Sequence, residues 1–389
     1  MIKRIVSPLI RALRRRPVIY WWVILLYFTV GLGAWMAGFQ PTNGRWLTPL
    51  ELILLALWIV GLLVLLTFDF DTEQARRIAA RLGRSKWTGV LITLTTIAIL
   101  FFAAETYMRI FYVTTDGYGF TAMNYHWYQN FYWGHYNSVG YRDYEPQTGE
   151  GITHVAVLGD SFAMGHGIND IDATFPQLLE HELGQGYDVN VIAQSGWDTD
   201  IELYQLQQYP IKPDIVILSY YLNDIDYLLQ APELNPDSRF DFPDNPALSW
   251  FILNYFVPNY IYYNLLQFTS VDRNSNFLLD LVNAHTNESY WSEQAQRLYE
   301  IKVWADQNNV RLIMLLWPHI TAVDASAPAV RQVGNFMRQQ GVTVVDMSEP
   351  IKANPSAGLI VNRFDTHPGV VAQRLAADAL YAAIQAEPE

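Results

Sequence analysis

His154-Val-Ala-Val-Leu-Gly-Asp-Ser161-Phe162 decides how this chain is read. The apolar run from His154 to Leu158 has the length of one buried strand, and it stops abruptly at Gly159-Asp160-Ser161. A serine hydroxyl at a strand end is a weak nucleophile at neutral pH unless a neighbouring base takes its proton. The candidate base is more than two hundred residues away: His367, in Asp365-Thr366-His367-Pro368.

From that strand to the end of the sequence, apolar runs alternate with helical patterns, which is the signature of a parallel sheet covered by helices. Asp188 to Ala193, Asp214 to Tyr220, Val310 to Trp317 and Val342 to Met347 read as four further strands. Phe175 to Leu183, Ile201 to Gln208, Ser292 to Gln307, Ala329 to Gln340 and Val371 to Gln385 read as helices. Five strands with crossover helices make one doubly wound domain over 154–389. An insertion at about 226–290 includes the aromatic run Ala247 to Phe268, where Pro258 is expected to interrupt a helix. That run is expected to pack on the domain, to lie against a bilayer or to form an acyl-binding lid.

In doubly wound sheets, ligands collect outside the carboxyl ends of the strands. Ser161 follows the first strand, Gly196 the second, Asn223 the third and His367 the fifth, so all four are expected on one rim. Ser161 suits attack on an acyl carbonyl, with His367 accepting its proton and returning it to the leaving alcohol. Asp365 would orient the imidazole, with Asp346 at the end of the fifth strand in reserve. The backbone amides of Ser161 and Gly196 and the side-chain amide of Asn223 would form an oxyanion hole. His166, in Gly165-His-Gly167, is expected at the pocket mouth, and His319 as a substrate contact or a surface residue. Each residue alone has an ordinary structural use: Ser161 as a helix cap, Asn223-Asp224 as a turn, Gly196 in a turn, His367 before a helix. Their joint placement on four strand ends favours catalysis.

Gly159-Asp160-Ser161-Phe162, Gly196 in Gln194-Ser-Gly-Trp, Asn223-Asp224 and His367-Pro368 resemble the four blocks of the SGNH/GDSL hydrolases, in that family's order. Asn137-Ser-Val-Gly-Tyr-Arg-Asp-Tyr-Glu145 resembles the lead-in of its membrane-linked members. The resemblance implies a flavodoxin-like three-layer α/β/α fold, a Ser-His-Asp ester hydrolase or acyl transferase, and no metal or organic cofactor. Two positions depart from the family pattern. Tyr221 stands where a glycine is common, and Thr366 alone separates Asp365 from His367, with Phe364 at the usual acid position.

Residues 1–105 have a different character. Val18 to Phe39, Glu51 to Phe68 and Trp87 to Ala104 are almost free of charge. Each is about 20 residues long, enough to cross a ~30 Å hydrocarbon layer, and the three read as transmembrane helices. Lys3, Arg4, Arg11, Arg14, Arg15 and Arg16 precede the first, and Arg76, Arg77, Arg81, Arg84 and Lys86 lie between the second and third. Basic flanks stay inside, so the amino terminus is expected in the cytoplasm and everything after Ala104 outside the cytoplasmic membrane. The length of the first run and its lack of an Ala-x-Ala-like site favour a retained anchor over a cleaved signal peptide. An aromatic-rich connector, 106–153, then leads to the domain.

Charge divides at the same boundary. Of 25 Lys+Arg and 38 Asp+Glu, 12 and 5 lie at or before Glu105, leaving 13 and 33 beyond it. The acidic remainder repels nucleic acid. With no cysteine, disulfides, thiolate metal sites and a cysteine nucleophile are excluded, and no cluster has zinc-ligand spacing. The sequence therefore reads as a multi-pass, membrane-anchored serine esterase acting on an acyl or acetyl ester of an envelope glycan or lipid, in contact with membrane lipid. Two other classes stay open. An O-acyltransferase with the same serine and histidine would need an envelope-assembly partner to supply acyl groups; a non-catalytic glycan-binding module would use the acidic, aromatic exterior.

Overall fold

The computed structural model describes residues 86–117, 121–229, 243–269 and 271–386, with a few single positions before Lys86. The first two expected spans lie largely outside the described residues. The chain forms two compact units, one of Met1–Tyr112 with Pro243–Asn259, the other of Val113–Phe242 with Tyr260–Glu389.

In the first unit, helix α1 (Lys86–Ile110) is built from a nearly uncharged apolar run. Among the described residues it is the one helix long and apolar enough to cross a membrane, over Trp87–Ile110, and almost none of that surface is covered by the protein. Its packing is concentrated in the last turns, with Thr95 buried further back. The buried Glu105 carboxylate accepts the backbone N–H groups of Phe256 (2.8 Å) and Val257 (2.9 Å). Arg109 pairs with Glu105 at 2.7 Å and donates to the carbonyl of Asn254 at 2.5 Å. One ion pair thus satisfies orphan donors at one helix start and an orphan carbonyl at another helix end.

In chain order, the second unit begins its sheet with β1 (Thr153–Gly159), followed by α2 (Ser161–Met164), α3 (Phe175–Leu183), β2 (Tyr187–Ala193), α4 (Thr199–Gln208) and β3 (Ile215–Tyr220). The insertion contributes α5 (Pro246–Asn254) and the start of α6 (Phe256–Thr269) to the first unit, and the rest of α6 and α7 (Val271–Thr286) to the second. Then come α8 (Glu288–Gln307), β4 (Arg311–Leu316), α9 (Val323–Gln339), β5 (Thr343–Asp346), a short antiparallel pair β6 (Ile360–Asn362) and β7 (Asp365–Pro368), and α10 (Val370–Gln385). The break in the aromatic run falls at Tyr255 (φ −125°, ψ 135°), not at Pro258. Pro258 sits in the first turn of α6, where its missing N–H is not needed.

The five main strands are parallel, in the order β2-β1-β3-β4-β5. That is the flavodoxin-like doubly wound order. β3 (IVILSY) is buried at every position, as expected of a parallel strand covered on both faces. Helices α3 and α10 pack against each other, as do α4 with α8 and α7 with α9. Gly159 is required by close approach: a Cβ there would lie 2.8 Å from the Ala163 Cβ and 3.0 Å from the Ser219 carbonyl oxygen.

The segment before β1 belongs to this packing too. Trp127 and Tyr132 are buried in the main core. Arg142, 1% exposed, donates to the carbonyls of Phe131, Met164, Gly165 and Ile168 at 2.6–3.1 Å, stitching the lead-in to the loop that follows β1.

Candidate active site

The sheet order places a crevice between the carboxyl ends of β1 and β3, where successive connections leave in opposite directions. Ser161 and Asn223 flank it. Asp160 ends β1 as the cap of α2: its Oδ1 accepts the Phe162 N–H at 2.8 Å, and its Oδ2 lies 3.4 Å from the Ser161 hydroxyl. The strand thus stops, the chain turns sharply, and the serine begins a four-residue helix with its side chain buried. Tyr221, at the position where glycine is common in the resembling family, stacks on Phe162 with centroids 4.1 Å apart, and Phe162 in turn lies 5.4 Å from the His367 ring.

His367 does not directly follow the fifth strand, as the alternation suggested. It lies on β7, reached after a further short helix and β6. The β6–β7 pair brings it back to the rim. The Ser161 Oγ is 2.8 Å from His367 Nε2, and His367 Nδ1 is 2.5 Å from Asp365 Oδ1. These three side chains form a Ser-His-Asp triad.

The one-residue spacing of Asp365 and His367 works because both are in a strand-like segment, in which the Asp365 carboxylate also accepts the His367 backbone N–H at 3.1 Å. Asp346 is engaged elsewhere, accepting the Ser348 N–H at 2.9 Å. Asp365 is fully buried, and its second oxygen accepts the Thr115 hydroxyl in a short bond. Burial alone would push this carboxyl up, but the His367 charge and the hydrogen bonds of His166 and His367 hold it well below the usual range. For His367, burial favours the neutral ring; the Asp365 charge and hydrogen bond, with Asp160 and Asp116, outweigh it and hold the imidazole above its ordinary value.

Gly196 lies in the turn after β2 at φ +79°, a left-handed conformation that glycine adopts without strain, and the space where a Cβ would stand is open. The Asn223 side chain faces the Asp160 carboxyl, and its carboxamide oxygen is buried without a partner among the described residues.

Several residues of the site carried no strong signal in the sequence. His166 is not at a pocket mouth: it is 3% exposed, with Nε2 3.4 Å from Asp365 Oδ2. Glu202 and Asp224 are fully buried acids, with no partner among the described residues for either carboxylate oxygen. Burial, and for Glu202 the Asp160 charge, for Asp224 the Glu202 charge, push both well above the usual carboxylate range. His319 is partly buried; its N–H donates to Ser326 Oγ at 3.1 Å, and Nδ1 meets the Thr321 hydroxyl at 3.2 Å. Among the described residues, the one grouping of three His and acidic side chains close enough to share a cation is His166, Asp365 and His367. Within it, His367 and Asp365 are already joined through a hydrogen bond, which is an arrangement for moving protons.

No family model and no curated relative matches the sequence. Solved structures similar to it include TesA (16% identity, TM-score 0.38, covering 60% of this chain and 98% of that one). The lipase/acylhydrolase from Enterococcus faecalis is also similar (12%, TM-score 0.36, 61% and 99%). So is a member of the lipolytic protein G-D-S-L family from Veillonella parvula DSM 2008 (10%, TM-score 0.34, 60% and 100%).

Proposed function

We propose that the protein is a serine ester hydrolase of the SGNH type, held to the cytoplasmic membrane and acting outside it on an acyl or acetyl ester of an envelope glycan or lipid. The observation that carries the proposal is the continuous hydrogen-bonded path from the Ser161 hydroxyl through His367 to Asp365.

The chemistry follows from that path. The Ser161 O–H donates to His367 Nε2, so as Oγ attacks the acyl carbonyl its proton passes to the ring. The imidazolium that forms is stabilised by Asp365, which holds the other ring proton at Nδ1. Negative charge gathers on the former carbonyl oxygen, and the backbone N–H groups of Ser161 and Gly196 with the Asn223 side chain are the donors proposed to meet it. Collapse breaks the bond to the alcohol, which leaves with the proton from Nε2. Water then repeats the attack on the acyl-serine, giving up a proton to Nε2, and the acid departs as Oγ regains its hydrogen.

Anchoring is supported by the length and apolar surface of α1. The outward orientation is supported by the basic flanks before the first and third apolar runs. Confinement at a membrane raises the effective concentration of membrane-proximal substrates.

Labelling with a fluorophosphonate tests the reaction class. The native protein should be labelled, and Ser161→Ala and His367→Ala should not; labelling that persists in Ser161→Ala would remove the nucleophile and the proposal with it. For orientation, a reporter fused after Glu389 should be active only outside the cytoplasm.

A further inference from the structure

Asp365 serves two imidazoles, His367 on one side and His166 on the other. The backbone N–H of His166 is tied to the nucleophile's turn through the Ser161 carbonyl at 2.9 Å. Its ring centroid lies 4.3 Å from that of His367 and 5.1 Å from that of Trp127. The Tyr128 hydroxyl is 3.3 Å from His166 Nδ1. Burial pushes the Tyr128 phenol up, and the same hydroxyl also meets the Ser195 side chain. With Nδ1 accepting from that hydroxyl, the His166 ring presents an N–H at Nε2. That nitrogen lies 3.4 Å from Asp365 Oδ2, the nearest acid, and makes no closer hydrogen bond among the described residues.

The two oxygens of Asp365 are therefore divided. Oδ1 faces His367, whereas Oδ2 takes the Thr115 hydroxyl and has the His166 Nε2 beside it at 3.4 Å. Donors on one carboxylate oxygen draw negative charge away from the other. A carboxylate without them would pull harder on the His367 proton and leave less of that ring as free base at neutral pH.

We propose that His166 is a positioning residue of the triad: a second imidazole that, with Thr115, holds Asp365 and limits its pull on His367. This rests on the reading of Ser161 and His367 as nucleophile and base. The groups acting on His367 are Asp365, Asp160 and Asp116, with His166 stacked beside it. The first three favour imidazolium, and the His166 and Thr115 donors offset the largest of them.

The test is the rate of fluorophosphonate labelling of the full-length protein as a function of pH, with folding checked by thermal melting. The acid limb of that profile reports the free His367 base. In His166→Leu the limb should move upward by about half a pH unit or more, roughly the worth of one hydrogen bond, so the loss is large at acid pH and small at alkaline pH. In His166→Gln, which keeps an N–H donor, the limb should stay near its native position. Where His166→Leu does not fold, Thr115→Val decides, because it removes the other donor from the same oxygen and should shift the limb the same way. A uniform loss of rate at all pH values in His166→Leu, an equal shift in His166→Gln, or an unmoved limb in Thr115→Val would overturn the inference. A native protein that is not labelled at Ser161 would instead remove the reading beneath it.

Discussion

Asp365→Asn isolates what the triad acid does, because the replacement keeps the shape and changes only which side of the carboxamide can donate. The native Oδ2 receives the Thr115 hydroxyl and faces His166 Nε2, so the amide oxygen belongs on that side. The amide NH2 then faces His367 Nδ1, 2.5 Å away in the native pair, and can meet it only as a donor. The ring must accept at Nδ1 and carry its proton on Nε2, which points at the Ser161 Oγ. The base is then occupied by its own hydrogen. The amide NH2 also opposes the His367 backbone N–H that the carboxylate accepted. A triad forced into this tautomer loses about 10³–10⁴ in kcat, or about 4–5.5 kcal/mol of transition-state stabilisation. Hydrolysis of p-nitrophenyl acetate at pH 7.5, with fluorophosphonate labelling in parallel, measures the loss. Asp346→Asn is the companion, expected to change the rate little because the Asp346 carboxylate is engaged by the Ser348 N–H and not by His367. A loss below tenfold for Asp365→Asn, or an equal loss for Asp346→Asn, would refute the assignment of the acid.

Three further outcomes follow from buried groups. Because His367 is held above its ordinary value and works as the free base, kcat/KM should rise with pH through a midpoint above the imidazole reference of about 6.5; a midpoint below it would contradict the Asp365 pairing. Glu202 and Asp224 bind protons more tightly folded than unfolded, so the stability they contribute is fully present below the unfolded carboxylate value of about 4 and is lost as pH rises through their raised folded values. Glu202→Gln cannot ionise and should therefore stabilise at pH 7.5 by on the order of 1–3 kcal/mol, with little gain at pH 4; melting curves of both proteins across that range check it, and a gain independent of pH would exclude the mechanism. Gly159→Ala should destabilise by about 1–3 kcal/mol in denaturant unfolding, since its Cβ meets Ala163 and the β3 backbone; unchanged stability would mean that the strand end yields more freely than its packing indicates.

The alternation of buried apolar runs with helical patterns was legible because parallel strands covered on both faces are continuous apolar segments, and the five strands lie within a residue or two of where that pattern puts them. The β6–β7 pair was not legible. Its strands are three and four residues long, and Asp365-Thr-His-Pro368 has no β pattern; its extended form comes from pairing with Ile360–Asn362. Pro258 misplaced the helix break because a proline reads the same in the first turn as in the interior until the helix start is known. The sequence places His166 at the pocket mouth and gives no sign of what Arg142 contacts; both are buried by partners, Asp365 beside one and four carbonyls around the other, that are distant in sequence.

The sequence by itself determined the doubly wound class, the strand ends from which chemistry would be presented, and a serine and a histidine in search of each other, since periodicity and local turn chemistry are properties of neighbouring residues. Only the tertiary structure decided which carboxylate meets the histidine, that a second imidazole lies beside it, and that two further acids are enclosed nearby. Those are matters of distance and desolvation between segments far apart in the chain, and a hydrogen-bond partner exists only once folding has brought it within reach.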